Sequence, residues 1–124
     1  MSAAPLVAVV DDDPRVLESI ENLLQSAGFF VQTYGSAQQL LRSPDLAGVA
    51  CLVSDVSMPD MDGFALQQRV AVLRPGLPVI FITGHELGAA ALAQAQRGQG
   101  LLRKPFEGAA LLAAVARALA GTRP

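Results

Sequence analysis

The fold is decided by the stretch 6–13, which reads Leu6-Val7-Ala8-Val9-Val10-Asp11-Asp12-Asp13. Its five apolar residues suit one buried strand, and three carboxylates follow at the carboxyl end of that strand. A second apolar run at 51–54 is followed by Asp55, and a third run at 100–103 is followed by Lys104. If these runs are neighbouring parallel strands, their carboxyl ends bring the carboxylates and the ammonium group together. Clustered carboxylates repel one another unless a cation neutralises them, so the pattern predicts an acidic pocket for a divalent metal ion.

The composition indicates one globular domain. Of the 124 residues, 52% are hydrophobic and 16% are charged, which is enough to bury a core. The net charge of −2, without a cluster of lysine and arginine, argues against nucleic-acid binding by this chain. The single cysteine, Cys51, lies in an apolar run, so we expect it to be buried in a protein of a reducing compartment. Neither a membrane-spanning apolar run nor a signal-peptide pattern is present, so we expect a cytoplasmic location.

Strand-like and helix-like segments alternate five times along the chain. The predicted strands are 7–10, 29–34, 50–54, 79–83 and 101–103, and the second alternates like an edge strand. The predicted helices are 16–27, a short helix capped by Ser36, 64–73, an alanine-rich segment at 89–95, and 111–119 with Gly121 past its end. This alternation predicts an α/β fold with a five-stranded parallel sheet and right-handed crossovers. In the strand order 2-1-3-4-5 a ligand binds between strands one and three, which are the strands that end in the aspartates.

Four short motifs occur in order, each at the end of a predicted strand. They are Val10-Asp11-Asp12-Asp13-Pro14, Asp55-Val56-Ser57-Met58-Pro59-Asp60-Met61-Asp62-Gly63, Ile82-Thr83-Gly84-His85 and Lys104-Pro105-Phe106-Glu107. Together they resemble the bacterial response-regulator receiver domain over nearly the whole chain. Ser36-Ala37 and Thr83-Gly84-His85 are most similar to the branch that is usually joined to a helix-turn-helix output domain. The resemblance implies a flavodoxin-like receiver fold with helices on both faces, a receiver domain over 5–121, and a tail or the start of a linker at 122–124.

The resemblance also implies the chemistry of the site. Asp55 matches the phosphoacceptor that takes a phosphoryl group from a sensor histidine kinase. Lys104 follows a strand end as the family lysine does, and it would pair with the phosphoryl oxygens. The peptide bond between this lysine and the following proline, here Pro105, is cis in the family. Thr83 would hydrogen-bond a phosphoryl oxygen and move inward on phosphorylation. Such a domain is not an enzyme in the ordinary sense, since it catalyses only its own phosphotransfer and dephosphorylation.

The family's cofactor is Mg²⁺, and the resemblance implies its ligands in this chain. Asp12, Asp55 and the backbone carbonyl of Ser57 would bind the ion directly, and Asp11 would act through a water molecule. The implied partners are a sensor histidine kinase, an output domain or partner protein, and a second copy in a phosphorylation-dependent homodimer.

Each motif residue also has an ordinary structural interpretation. Taken alone, the run 11–13 would be a solvated helix cap before Pro14, and this is the interpretation that we adopt for Asp13. Asp62-Gly63 is expected to be the turn that starts the third helix. His85 is either an exposed loop residue or, two positions after the family threonine, a residue that tunes the lifetime of the phosphoryl group.

Three departures from the family pattern concern the route by which the signal leaves the site. Leu101 stands where the family often has Tyr or Phe, and Arg97 stands where a small residue commonly precedes Gly98. The loop from Gly98 to Leu101 is one residue shorter than usual. Leu101 either weakens the coupling to the output surface or simply packs in the core.

Three other protein classes compete with this interpretation. A dehalogenase-type phosphatase needs an aspartate two residues after its nucleophile, but Ser57 follows Asp55 at that spacing, and Asp13 follows Asp11 just before a proline. A flavodoxin-like cofactor binder needs a phosphate loop after the first strand, where three aspartates would repel phosphate. A pseudo-receiver would have lost its site residues, which this chain keeps.

Overall fold

Five parallel strands form one sheet in the order β2-β1-β3-β4-β5, as the sequence predicts. The computed structural model describes residues 4–84, 93 and 100–121. The strands are β1 (Leu6–Val10), β2 (Phe30–Tyr34), β3 (Val49–Asp55), β4 (Val79–Thr83) and β5 (Gly100–Arg103). Each boundary lies within one residue of its prediction, and β2 is an edge strand as expected.

Helices cover both faces of this sheet. They are α1 (Pro14–Ser26), α2 (Ala37–Arg42), α3 (Gly63–Leu73) and a last helix (Gly108–Gly121), with a short 3₁₀ helix at Pro44–Gly48. The prediction that Gly121 lies past the end of the last helix was wrong, because it is the final helical residue. Of the alanine-rich segment 89–95, only Ala93 belongs to the described residues, and it is helical. None of the helices described is long and apolar enough to cross a membrane.

The sheet separates two apolar cores. On one face, Leu52 and Phe81 pack with Leu66 of α3, and on the other face Val53 packs with Leu24 of α1 and with the last helix. Cys51 belongs to the second core and is fully buried, as expected, and this burial raises the pKa of its thiol to about 12. Burial on both faces explains why β1, β3 and β4 are nearly continuous apolar runs.

The two predicted helix caps, Asp13 and Ser36, are present, and Asp62, which was predicted as a turn residue at the start of the third helix, is also a cap. The side chain of Asp13 accepts a hydrogen bond from the N–H of Arg15 at 2.9 Å, at the start of α1. The hydroxyl of Ser36 caps α2 at 3.2 Å from the nitrogen of Gln39. α3 is capped in the same way by Asp62, which accepts from the N–H of Ala65 at 2.8 Å. These bonds satisfy N–H groups that have no partner within the helix, and they fix where each helix begins.

Gly63 brings the start of α3 against the end of β3. Its N–H donates to the carbonyl of Val56 at 2.9 Å. A Cβ atom at this position would collide with the backbone oxygen of Asp55. This collision excludes a side chain at residue 63. The turn sequence Asp62-Gly63 alone does not indicate this steric constraint.

We expect Gly63→Ala to lower the free energy of unfolding by about 2 kcal/mol or more, because the atom that it meets is rigid backbone. Gly48→Ala is the matched control, since its Cβ would meet nothing within 4 Å, and it should change stability by less than about 1 kcal/mol. Urea unfolding followed by circular dichroism measures both changes. Equal stability of the two variants would show that the close approach at Gly63 is not a constraint.

Candidate functional site

An acidic cluster lies at the carboxyl ends of β1 and β3. Val10 pairs with Ser54 across these strands, so the aspartates that follow lie side by side. Carboxylate oxygens of Asp11, Asp12 and Asp55 all lie within 4.8 Å of one another. Asp11 is 1% exposed and Asp55 is 5% exposed, whereas Asp12 is exposed at the rim. The structure therefore brings together the three acidic side chains that the sequence analysis selected.

Lys104 reaches this cluster from the end of β5. Its backbone N–H donates to the carbonyl of Thr83 at 2.8 Å, which anchors it at the end of the neighbouring strand. Its ammonium group donates to Oδ2 of Asp11 at 3.1 Å and lies 3.7 Å from Oδ2 of Asp55. The peptide bond to Pro105 is cis, as the resemblance implies. The nearer partner of Lys104 is thus Asp11, a contact that the family pattern did not indicate.

Thr83 and Ser57 complete the set of predicted positions. Thr83 is the last residue of β4 and is buried, one residue beyond the pairing of Ile82 with Asp55. Ser57 is exposed, and its N–H donates to Oδ1 of Asp55 at 3.4 Å, which is a long hydrogen bond. His85 lies outside the described residues.

Burial makes the ionised form of Asp55 unfavourable. Desolvation raises the pKa of this carboxyl and the negative charge of Asp11 raises it further, against the opposing effects of Lys104 and the Ser57 N–H. For Lys104, burial lowers the pKa, but the hydrogen bond and charge of Asp11, with the charge of Asp55, outweigh it and leave the pKa raised. The ammonium group of Lys104 therefore lies close to two buried carboxylates, and their negative charge would favour an added cation here.

Asp13 stands apart from this cluster. Its carboxylate caps α1, and the hydrogen bond from the Arg15 backbone lowers its pKa. An ion pair at 3.5 Å joins it to the Arg15 side chain, which is almost fully exposed. This agrees with the interpretation of Asp13 as a capping residue.

A cavity of about 460 Å³ opens beside Lys104, between α1 and the loop that follows β5. Its walls are formed by Asp13, Arg15, Val16, Ser19, Ile20, Lys104, Pro105 and Phe106. Lys104 lines this cavity and also contacts Asp11, so the cavity adjoins the acidic cluster.

Two residues at the site were missed by the sequence analysis. Ser54 is fully buried within an apolar strand, and its hydroxyl donates to the backbone carbonyl of Asp55 at 3.0 Å. The only signal for it was a polar residue in an apolar run directly before the aspartate. Gly63 was interpreted only as a turn residue, because its close contact with the backbone of Asp55 depends on how α3 folds back against β3.

The fold and the acidic site together define a signalling domain of the receiver type. The family model described as "Response regulator receiver domain" matches residues 7–116, and the chain belongs to this family. Domains of this family are the receivers of two-component response regulators, whose general mechanism is phosphorylation by a sensor kinase.

Curated relatives are similar over almost the whole chain. It is 38% identical over 121 residues to the C4-dicarboxylate transport transcriptional regulatory protein DctD of Rhizobium meliloti, covering 95% of this chain and 26% of that protein. It is 34% identical over 117 residues to the response regulator protein TodT of Pseudomonas putida, covering 94% of this chain and 52% of TodT. The chain thus spans between about a quarter and a half of these relatives.

Solved structures agree with the fold. The response regulator StyR is 39% identical with a TM-score of 0.83, covering 97% of this chain and 61% of that one. A receiver domain protein from Clostridium thermocellum is 28% identical with a TM-score of 0.86, covering 94% and 95% of the two chains.

We expect Asp55→Asn to stabilise the metal-free protein at pH 7 by about 1 kcal/mol, because it removes an unfavourable buried charge. The folded-state pKa of Asp55 is raised, so the stability that this group contributes is present below its unfolded value near 3.8 and is lost as pH rises through the folded pKa. The gain of Asp55→Asn should accordingly shrink as pH falls through that range, where the wild-type side chain also becomes neutral.

Urea unfolding in EDTA at pH 7 and near pH 3.5 tests this expectation. Asp60→Asn removes one negative charge from an exposed residue and is the matched control, with a change near zero. A destabilising effect of Asp55→Asn at pH 7, or a gain of the same size at both pH values, would contradict the electrostatic account.

Proposed function

We propose that this chain accepts a phosphoryl group on Asp55 from the phosphohistidine of a sensor histidine kinase, in a Mg²⁺-dependent phosphorelay. The unit that does so spans residues 5–121. The observation that carries the proposal is a buried carboxylate at the end of β3, with two more carboxylates within 4.8 Å and an ammonium group at 3.7 Å. A carboxylate in this position can act as a nucleophile toward phosphorus. The ammonium group, and a metal ion held by the carboxylates, can neutralise the charge on the phosphoryl group during the transfer.

The donor set fits Mg²⁺. Carboxylate and carbonyl oxygens are the protein ligands that this ion prefers. Asp12, Asp55 and the backbone carbonyl of Ser57 would bind it directly. Both oxygens of Asp11 already have partners, since Oδ1 accepts from the N–H of Asp13 at 2.9 Å and Oδ2 accepts from Lys104 at 3.1 Å. This occupation favours an indirect role for Asp11, through a water molecule. When bound, the ion neutralises the charge on the transferring phosphoryl group.

The residues of the chain itself perform the transfer. An oxygen of Asp55 forms a bond to phosphorus while the phosphorus–nitrogen bond of the phosphohistidine breaks, and its electron pair returns to the imidazole nitrogen. Lys104 pairs with the phosphoryl oxygens, for which it has only to turn from Asp11 toward Asp55. Thr83, at the end of β4, hydrogen-bonds a phosphoryl oxygen. The product is an acyl phosphate on a signalling domain, whose only catalysis is its own phosphotransfer and dephosphorylation.

The phosphorylated state controls an output. Among the relatives, DctD is named as a transcriptional regulatory protein, which supports control of transcription through an attached domain or a partner. Leu101 of β5 is half-buried and packs against the core under α2 and α3, and its effect on the output surface stays a prediction. A half-buried leucine offers little difference between inward and outward states.

Incubation with Mg²⁺ and a small acyl phosphate should add one phosphoryl group to the chain, detected by intact mass. Asp55→Asn should take none, because an amide is not a nucleophile in this reaction. Asp60→Asn, an exposed aspartate of the following loop, should take one group as the parent does. An undiminished adduct on Asp55→Asn would remove Asp55 from its proposed role.

Metal affinity should depend on Asp12 more than on Asp13. Asp12→Ala removes a direct ligand and should weaken Mn²⁺ or Mg²⁺ binding by about tenfold or more. Asp13→Ala removes only a helix cap. Because Asp12 and Asp13 are adjacent carboxylates, Asp13→Ala changes the net charge by the same amount as Asp12→Ala and is its matched control. Calorimetric titration of both variants measures this difference, and equal losses of affinity would mean that the metal site is misplaced.

A further inference from the structure

Ser54 is a buried hydroxyl that the proposed chemistry does not use. It precedes Asp55 in β3 and has no exposed surface. Its oxygen is 3.0 Å from the carbonyl oxygen of Asp55, to which it donates. A buried hydroxyl is costly without such a bond, so this contact holds the Ser54 side chain and the carbonyl in a fixed relation.

The peptide group that joins Asp55 to Val56 is held at both ends. Its carbonyl accepts from Ser54, and its N–H donates to the carbonyl of Ile82 in β4 at 2.8 Å. The side of the carbonyl that faces Gly63 is closed, since even a Cβ atom at residue 63 would collide with it. The orientation of this one peptide plane is therefore set by the neighbouring strand, by the start of α3 and by the Ser54 hydroxyl.

The same peptide plane orients the groups that would react. The carboxylate of Asp55 leaves the backbone just before it, and Ser57, whose N–H reaches that carboxylate at 3.4 Å, follows just after it. A tilt of the plane would move the nucleophile and the carbonyl of Ser57 relative to each other. In-line transfer is sensitive to displacements of this kind, because its rate depends on the alignment of the reacting atoms.

We propose that Ser54 is a positioning residue for phosphoryl transfer, which fixes the Asp55–Val56 peptide and thereby the orientation of the Asp55 carboxylate. This inference rests on the proposed function and deepens it. Ser54 touches neither the phosphoryl group nor the metal ion. It acts through the backbone of Asp55.

The test compares Ser54→Ala, which deletes the hydroxyl, with Ser54→Cys, which replaces it by a larger thiol that is only a weak donor. Cys51→Ala is the matched control, since it deletes one buried side-chain atom from the same strand, three residues away from Ser54. Phosphorylation by a small acyl phosphate is followed at saturating Mg²⁺ over a range of donor concentrations.

Both Ser54 variants should lower the maximal rate by about tenfold, the size expected when one hydrogen bond that holds the backbone of the nucleophile is lost. The donor concentration for half-maximal rate should not change, because no donor contact is lost. Cys51→Ala should keep the parent's maximal rate even where it lowers stability. If Ser54→Ala fails to fold, the comparison of Ser54→Cys with Cys51→Ala decides the question.

Parent rates in the Ser54 variants would overturn the positioning role and leave the proposed function standing. A tenfold loss in Cys51→Ala as well would also overturn it, since the effect would then be a general consequence of imperfect packing. A parent protein that takes no phosphoryl group on Asp55 would remove the proposed function, and this inference with it.

Discussion

The confinement of three carboxylates at one edge of the sheet is the constraint on which this structure depends. Two of them, Asp11 and Asp55, are almost completely buried, and all three lie within 4.8 Å of one another. Within the described residues, Lys104 is the ammonium group that joins both buried carboxylates. Ionised carboxylates at this spacing repel strongly in a desolvated site. The stability of the apolar cores holds them together, and the repulsion between them favours a bound cation.

The rest of the fold places these groups and limits their movement. Parallel strands bring their carboxyl ends to one edge, so that β1, β3 and β5 each deliver a charged residue there. Hydrogen bonds then fix the backbone around Asp55, through Ile82 on one side and Gly63 on the other. Rigid placement of reacting groups lowers the cost of reaching an aligned transition state, and this is what the proposed transfer needs from a protein.

Much of this arrangement is predictable from the sequence because it follows from local patterns. Continuous apolar runs indicate strands covered on both faces, and Asp13, Ser36 and Asp62 indicate helix starts through a chemistry that acts within three residues. The convergence of Asp11, Asp12 and Asp55 follows from one topological rule applied to those strands. The role of each residue in phosphoryl transfer came from the family resemblance, since periodicity alone could not distinguish Asp55 from an ordinary turn residue.

Contacts that depend on tertiary distances could not be predicted in this way. The ammonium nitrogen of Lys104 lies 3.1 Å from Oδ2 of Asp11 and 3.7 Å from Oδ2 of Asp55, and the spacing of these residues in the sequence does not indicate which one is nearer. The collision that excludes a side chain at Gly63 depends on how α3 folds back on β3. Ser54 looks in sequence like one polar residue in an apolar run, and its bond to the Asp55 carbonyl exists only in the folded strand end.

The charge of Asp55 is unfavourable until a cation is added. The most direct measurement is an NMR titration of the side-chain carboxyl carbon of Asp55 against pH, with EDTA and then with saturating Mg²⁺. We expect an apparent pKa of Asp55 above 3.8 without metal, because burial and Asp11 raise it, and a clear decrease of this pKa when the ion is bound. A metal-free pKa at or below 3.8, or one that Mg²⁺ leaves unchanged, would contradict it.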